Sequence, residues 1–414
     1  MASIRASLHV AVQYLCVRPT AAPWPHQNNA VSARMPRHGA RTFPTAIAEL
    51  HSNSVALPLL IAVQSKTTLP PTAVAGNCGH VKVNYAQAIR NIVEGQDVHA
   101  GLEAREAKQL FAAMLDGGIP ELELGALLVA LRVGKLPVSA MLGFEEALAE
   151  HVLSLSHWQD AAPRPVVIPA YGAVRGQPNL TPLVAMLLQR LHVPVLVHGT
   201  LESHGGLASA YVFRELGIMP CTTLSQARST LEQERLAFVL TGVLAPGLAA
   251  LLSLRARTGV IGLCRSMATL LDPFAGAGLR IVATDDPAEC ACLRELLLAT
   301  GGTALLMRGV AGEAFANPRR RPRMELIREG ASNVLFEQEH SHEHVAEMPA
   351  AAGEAGGEPR AAANYIRRIL AGSAQLPPPI VNQLACCLYA SGHTDDLNQA
   401  KAIVAVAIRG LAAA

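Results

Sequence analysis

Aromatic residues are scarce: two Trp, six Tyr and eight Phe make up 4% of the 414 residues, which leaves little material for stacking on unpaired bases. Charge is thin as well, at 16% Asp, Glu, Lys and Arg with a net of +2, so bulk electrostatics give no attraction for nucleic acid and any such contact must come from a local patch. The eight cysteines, at positions 16, 78, 221, 264, 290, 292, 386 and 387, include no CxxC pair and no zinc spacing. Scattered thiols in a chain of this size fit a reducing, cytoplasmic compartment rather than a disulfide framework. The adjacent Cys386 and Cys387 face different sides of a helix and read as packing residues. One uncharged run, Leu236 to Leu254, is long enough to cross a bilayer. Pro246-Gly247 divides it into a strand-like LAFVL and a helix-like LAALLSL, the form of a buried strand followed by a buried helix, so no membrane partner is expected.

Residues 1–82 lack sustained period and hold a single acidic residue, Glu49. Eight prolines, among them Pro19, Pro23, Pro25 and the Pro70-Pro71 pair, interrupt them, which is a disordered composition. Of the 34 basic and 32 acidic side chains, seven and one lie there, leaving 27 and 31 in the remainder, a net of −4. A signal peptide is poorly supported, because the apolar stretch Leu8 to Val17 is short and contains His9 and Gln13. A transit peptide fits the Arg/Ser bias; a start codon assigned upstream of the real one fits the abrupt onset of periodicity at Val83-Asn84-Tyr85, and is the expectation adopted.

The body begins at residue 83. Four short helices are expected over 84–150, where Pro120 and Pro137 open the third and fourth, forming a small helical domain (83–150) completed by helices around 245–270. From 151 to 414, strands are expected at Pro165–Pro169, Val193–Val197, Leu236–Leu240, Leu279–Thr284, Thr303–Met307 and Asn333–Phe336. Helical stretches at 181–191, 207–216, 223–232, 286–300, 382–389 and 397–408 alternate with them, and 340–363 reads as a long loop. The alternation predicts an α/β fold with a mostly parallel sheet and flanking helices. Its centre is the strand, loop, helix, strand unit of 163–207, where Asn179 or Thr181 is expected to cap a helix beside a crevice suited to anions.

The stretch LEAREAKQLFAAMLDGGIPELELGALLVALRVGKLPVSAMLGFEEAL at 102–148 resembles the N-terminal domain of anthranilate phosphoribosyltransferases and pyrimidine nucleoside phosphorylases. The segments VVIPAY, NLTPLVAMLL, PVLVHG, GGTALLMRGVAGEAFANPRR and ACCLYASG resemble the YbiB-type branch, DNA-binding relatives of the anthranilate enzyme; together the similar stretches cover about 83–410. The resemblance implies a homodimer formed through the helical domain. It also implies where a phosphoribosyl pyrophosphate would sit: a GTGGD loop, an Asn-x-Ser-Thr helix start, a Lys-His-Gly-Asn-Arg strand end and an Asp-Glu pair for magnesium. Here the loop is Pro169-Ala170-Tyr171-Gly172-Ala173, and the helix start keeps Asn179 and Thr181 but has Pro182. The strand end is Val197-His198-Gly199-Thr200-Leu201, without either cation, and the metal pair is Gly312-Glu313, short of one carboxylate. Tyr171 and Pro169 are expected to block the approach of backbone amides to a diphosphate. Tyr171, Gly172, Asn179, Thr181, His198, Gly199 and Glu313 therefore line a vestigial crevice, with no catalytic residue assigned and no resident cofactor or metal.

Two further groups stand out. Arg319, Arg320, Arg321 and Arg323 form the strongest basic cluster, and Arg257 and Arg265, with Arg255 and the Arg367-Arg368 pair, are candidates to extend it as contacts to phosphates. His340, His342 and His344 alternate as metal ligands on a strand do, but lie in an Ala/Gly-rich tract that reads as plain surface. Two functions follow. One is a non-catalytic phosphoribosyltransferase-like protein that binds DNA or RNA without sequence preference. The other is an active phosphoribosyl or nucleoside transferase of altered substrate, which would need magnesium, a diphosphate cradle and metal carboxylates.

Overall fold

A computed structural model describes residues 84–94, 102–155, 158, 163–172, 174–202, 206–260, 262–339 and 358–413. The expected N-terminal extension, Ala173 and the His340, His342 and His344 tract lie outside the described residues. Helices α1 (Tyr85–Glu94), α2 (Ala104–Leu115), α3 (Glu121–Val133) and α4 (Val138–Glu150) come first. Then follow β1 (Val166–Ala170), α5 (Thr181–Arg190), β2 (Val195–Gly199), α6 (Ser209–Glu215), α7 (Leu224–Glu234), β3 (Leu236–Leu240), α8 (Thr241–Leu244), α9 (Pro246–Ser253), α10 (Arg255–Thr258) and α11 (Leu263–Thr269). The chain continues through β4 (Leu279–Thr284), α12 (Pro287–Thr300), β5 (Thr303–Arg308), β6 (Met324–Arg328) and β7 (Ala331–Phe336), and closes with α13 (Pro359–Leu370), α14 (Pro378–Ala390) and α15 (Leu397–Ala413).

The seven described strands make one sheet in the order β3-β2-β1-β4-β5-β6-β7. The first five run parallel, and β6 and β7 add an antiparallel edge. Strands buried on both faces need apolar residues at both parities. In β4, Leu279, Ile281 and Ala283 face a core shared with α5, α13 and α14, whereas Val282 faces the helical bundle. In β5, Leu305 and Met307 face the first core, and Ala304 and Leu306 the bundle. The bundle core also takes Leu248 of α9 and Met267 of α11. Among the described residues no helix is long and apolar enough to cross a membrane.

Three expectations are corrected. Strand β6 has no counterpart among the expected strands, because its sequence MELIR carries a buried Glu325 held by Arg294 at 2.7 Å. The expected loop at 340–363 ends early, since α13 begins at Pro359 with Pro in its first turn. Neither Asn179 nor Thr181 caps α5, whose N-cap is Leu180; Asn179 Oδ1 accepts the Thr181 N–H at 3.1 Å instead.

Register decides where the site lies. Ala170 pairs with Gly199 and Gly199 with Leu240, so β1, β2 and β3 end level and their following residues converge. A Cβ on Gly199 would stand 2.4 Å from the Ala170 carbonyl oxygen, so only glycine permits that approach. The same close fit joins α2 to α4, where a Cβ on Gly143 would lie 2.0 Å from the Ala104 oxygen, while Gly125 on α3 has nothing within 4 Å. Gly143→Ala is therefore expected to cost about 1–3 kcal/mol by overpacking, and Gly125→Ala to stabilise by about 0.5–1 kcal/mol through helix propensity. Urea unfolding of the two variants checks the pair; equal midpoints would contradict this packing.

Candidate functional site

Two buried polar groups sit at the level ends of β1, β2 and β3, and the residues of the expected crevice divide between them. The first is built on Glu313, which is fully buried in the loop after β5. Its Oε1 accepts the Gly172 N–H at 2.9 Å, and its Oε2 accepts the hydroxyls of Thr181 at 2.6 Å and Ser209 at 2.7 Å. Asn179 stands beside it, also buried, donating through Nδ2 to the Leu207 carbonyl at 3.0 Å. Burial pushes the Glu313 carboxyl above its ordinary range, and the bonds from Ser209, Thr181, Gly172 and Asn179 work in the other direction. Neutral donors alone thus hold one buried carboxylate.

The loop geometry that delivers Glu313 is specific. Val310 and Glu313 exchange backbone bonds of 3.2 and 2.9 Å across Ala311 and Gly312, whose φ values are 50° and 77°. Two successive left-handed residues make a tight primed turn, and Ala311 occupies a conformation that favours glycine. A Cβ on Gly172 would meet the Ala311 oxygen at 2.6 Å and Glu313 Cγ at 2.7 Å, and one on Gly309 would meet the Glu313 oxygen at 2.1 Å. Arg265 packs on the outside of the turn, its Nη2 1.2 Å from where a Cβ on Gly312 would stand. The obstruction expected from Tyr171 and Pro169 is thus corrected: the groups that fill the space against Gly172 are Ala311 and Glu313.

Tyr171 belongs to the second group. Its hydroxyl lies 2.8 Å from His198 Nδ1 and 2.8 Å from Thr241 Oγ1, and Thr241 donates to the Gly199 carbonyl at 2.9 Å. Counting donors assigns the protons: with the Thr241 proton on Gly199, the Tyr171 proton goes to Thr241, and His198 donates from Nδ1. His198 Nε2 is then a bare acceptor, with no partner among the described residues. Burial holds the His198 imidazole down to about 3 and pushes the Tyr171 phenol up. The ring is therefore neutral, bonded to the Tyr171 side chain. Gly199 joins this second group through its carbonyl.

Beside both groups lies a cleft between the bundle and the strand ends, lined by Leu128, Leu251, Leu252 and Val260 together with Arg255 and Arg265. Partial burial, and then the Arg265 guanidinium opposite, hold Arg255 below the ordinary arginine range. Arg257 points elsewhere, paired with Glu121 at 3.2 Å on the surface. The 319–323 cluster lies in the loop between β5 and β6 and is more tied down than its sequence implies. Arg320 Nε donates to the Glu339 carbonyl at 2.7 Å, Arg321 Nε to that of Glu337 at 3.2 Å, and Arg323 pairs with Glu325 at 3.4 Å. Arg319 is exposed. Lys401 joins the cluster from α15, with Nζ 4.7 Å from the Phe336 ring centroid and the Arg321 guanidinium 5.3 Å from the same ring. Arg367 is bound to the Glu215 carbonyl and to Asn364.

Ser209, Thr241 and Lys401 escape the reading of the sequence, as single polar residues that no motif marks. Among the described residues no cluster of three or more His, Cys, Asp or Glu could hold a metal ion. The one acidic residue of the expected magnesium pair, Glu313, spends both oxygens on protein donors, so these residues do not fit a magnesium diphosphate.

Comparison with known proteins agrees with the fold. Residues 86–152 match the helical bundle domain of a glycosyl transferase family. The uncharacterized protein YbiB of Escherichia coli (strain K12) is 36% identical over 323 residues, 78% of this chain and 99% of that protein. An anthranilate phosphoribosyltransferase of Rhodopirellula baltica is 28% identical over 208 residues, 50% of this chain and 58% of the enzyme. Among solved structures, the anthranilate phosphoribosyltransferase of Thermus thermophilus superposes with a TM-score of 0.61 at 22% identity over 79% of this chain and 94% of the enzyme. The Saccharomyces cerevisiae enzyme in complex with PRPP and Mg gives 0.61 at 14% identity, over 80% and 95%.

The His198 environment gives a pH test. The folded imidazole titrates at about 3 and an unfolded one near 6.5, so in that window the unfolded chain binds the proton and the folded one does not. Stability must then rise with pH from about 3 to about 6.5, by at most about 1.4 kcal/mol per pH unit from this group. His198→Phe keeps the Tyr171 to Thr241 bond and removes the titration. Urea unfolding at pH 4, 5, 6 and 7 should show the wild type gaining stability relative to this variant with each step; parallel curves would contradict the assignment.

Proposed function

The chain belongs to the family that joins YbiB to the anthranilate phosphoribosyltransferases, and from that premise we propose that it has given up phosphoribosyl transfer and binds DNA or RNA without sequence preference through surface arginines. The observation that carries the non-catalytic half is Glu313. A cradle for a magnesium diphosphate needs free donors and carboxylates facing the ligand, because nearly all of the catalysis lies in positioning and stabilising that charge. Here Gly172, Thr181 and Ser209 are already bonded to the chain's own carboxylate. The strand end that carries cations in the resembled enzymes offers a buried neutral His198.

The nucleic-acid half is supported by the basic loop. Arg319, Arg320, Arg321, Arg323 and Lys401 gather near the β7 edge against Glu325, Glu337 and Glu339, leaving an excess of two positive charges. Arg319 is the exposed member without a structural tie on its guanidinium among the described residues, and exposed Arg257 is a second contact on the bundle. Arg323 braces the buried Glu325 and is a poor choice for mutation. We propose also that the protein is a homodimer through the bundle. On α3, Leu122, Val129 and Val133 are 83%, 46% and 67% exposed at spacings that share one helix face, and Val93 at the end of α1 is 51% exposed.

Calorimetry with phosphoribosyl pyrophosphate and magnesium tests the first half: no binding is expected, and micromolar, magnesium-dependent binding would refute it. For the second, affinity for random duplex should fall with a log-log salt slope of about −0.9 per neutralised phosphate. Arg319→Ala with Arg257→Ala should flatten that slope by about one unit per lost contact; an unchanged slope removes these residues, and no binding at low salt removes the function. Leu122→Glu with Val133→Glu should convert the dimer to a monomer by light scattering at micromolar concentration, and a monomeric wild type would end that proposal.

A further inference from the structure

At the end of the sheet away from the crevice, Arg280 is a buried cation with poor partners. It pairs with Val167 near the start of β1, whereas the crevice follows Ala170 at the end of that strand. It is 5% exposed and shares with Val282 the face of β4 that meets the bundle. Its Nη1 lies 3.3 Å from the Leu270 carbonyl and 3.6 Å from Glu145 Oε1 on α4, and its Nη2 lies 3.4 Å from the Gly301 carbonyl. A guanidinium that serves as a brace takes short charge-assisted bonds of about 2.7–2.9 Å. Arg294 does so with Glu325, and Arg328 with the Ala390 carbonyl, both at 2.7 Å. Arg280 has no bond of that kind among the described residues. Beside it, at the end of α12, the buried Thr300 hydroxyl has no partner among the described residues. Both groups line a cavity of about 260 Å³ between α4, the loop before β4 and the turn after α12. That is less than the roughly 300–1,000 Å³ of sites for drug-sized molecules, so its occupant is small.

The charges around the cavity select its occupant. Against the one cation stand two carboxylates, Glu145 and Asp272, the latter with both oxygens on backbone N–H groups, of Phe274 at 3.0 Å and Gly276 at 2.7 Å. Burial pushes the Glu145 carboxyl above its ordinary range, with Arg280 pulling the other way and the Asp272 charge adding to the rise. A simple anion satisfies Arg280 but brings a third negative charge beside these two. A simple cation satisfies the carboxylates but leaves the guanidinium as it stands. A molecule that carries both charges a few bonds apart answers both needs. Leu148, Val152 and Leu270 add an apolar wall. We propose that this cavity binds a free α-amino acid with an aliphatic side chain. Its carboxylate lies on Arg280 and the Thr300 hydroxyl, its ammonium faces Glu145 and Asp272, and its side chain packs on Leu148, Val152 and Leu270. Bound there, the ligand ties α4 of the bundle to β4 and to the turn that leads into β5. The site shares no residue with the crevice or with the arginine loop, and it stands or falls independently of the function proposed above.

The experiment uses L-leucine as the probe, with isocaproate, which lacks the ammonium, and isoamylamine, which lacks the carboxylate, as its two halves. Binding to the full-length protein is measured by calorimetry at neutral pH and by the shift of the thermal midpoint. Wild type should bind leucine with a dissociation constant of about 1 mM or tighter, and its midpoint should rise with leucine concentration. Each half molecule should bind about tenfold more weakly, the scale of one lost charge-assisted contact. Arg280→Met should weaken leucine binding at least about tenfold. Thr300→Val should weaken it about fivefold without lowering the midpoint of the free protein, because the hydroxyl has no partner to lose. If Arg280→Met is poorly folded, Thr300→Val still carries the test. A wild type that gives neither heat nor a midpoint shift with leucine overturns the proposal. Isocaproate bound as tightly as leucine overturns it as well, and so does a Thr300→Val variant that binds leucine as the wild type does.

Discussion

A fully buried carboxylate is the constraint around which the crevice is arranged. Removing Glu313 from water is costly unless every oxygen is matched, and the three bonds from Gly172, Thr181 and Ser209 supply the match. Those bonds dictate backbone elsewhere. Gly172 must lack a side chain for Glu313 Cγ to approach, Gly309 must lack one for the Glu313 carbonyl to return, and Gly312 must yield space to Arg265. Ala311 accepts a left-handed φ as part of the same turn. One carboxylate thus ties the ends of β1 and β5 to the starts of α5 and α6.

The second polar line acts on the neighbouring strand ends. The proton chain from His198 through Tyr171 and Thr241 to the Gly199 carbonyl joins residues that follow or end β1, β2 and β3. Each member is buried, and the only atom left over is an acceptor, His198 Nε2, which costs less than an unpaired donor or charge. A proton added at the free Nε2 would leave this line intact, so it is burial that holds the titration of the ring down. A histidine so placed joins the strand ends through Nδ1.

The sheet was legible in the sequence for a physical reason. Strands buried on both faces, such as VVIPA and VLVHG, read as continuous apolar runs between turn residues, and the structure moves them by only one or two positions. Strand β6 was not legible, since Glu325 and the arginines around it look like a loop until Arg294 and Ser332 close around the carboxylate. The crevice residues stand at the same strand ends but divide into two groups, and the direction of each side chain was not legible. Whether Tyr171 faces Gly172 or His198 depends on a single backbone turn, which composition does not encode. Glu313 stood out as the survivor of a metal pair, yet nothing local marks Ala311 for the left-handed turn that points the carboxylate inward. The arginine loop shows the converse: four arginines in five residues read as free charge, and three of them are committed to Glu325, Glu337 and Glu339 by strand pairing far along the chain.

On the reading that transfer has been given up, the way the crevice is closed bears on how that came about. Simple decay of a diphosphate cradle would remove ligand-binding residues one by one and leave buried donors unmatched, each at a cost of about 1–3 kcal/mol. Here the two cations of the resembled strand end are replaced together by apolar residues, and the retained donors find an internal acceptor of the right charge. An open cradle is itself a destabilised arrangement, with donors held ready and unsatisfied so that a ligand can satisfy them. If transfer has been given up as proposed, the retained Glu313 closes the cradle on its own donors, and Arg265, on the bundle side, rests directly on the turn that carries it. The proposed contact through exposed arginines depends on surface charge and makes no demand on that crevice.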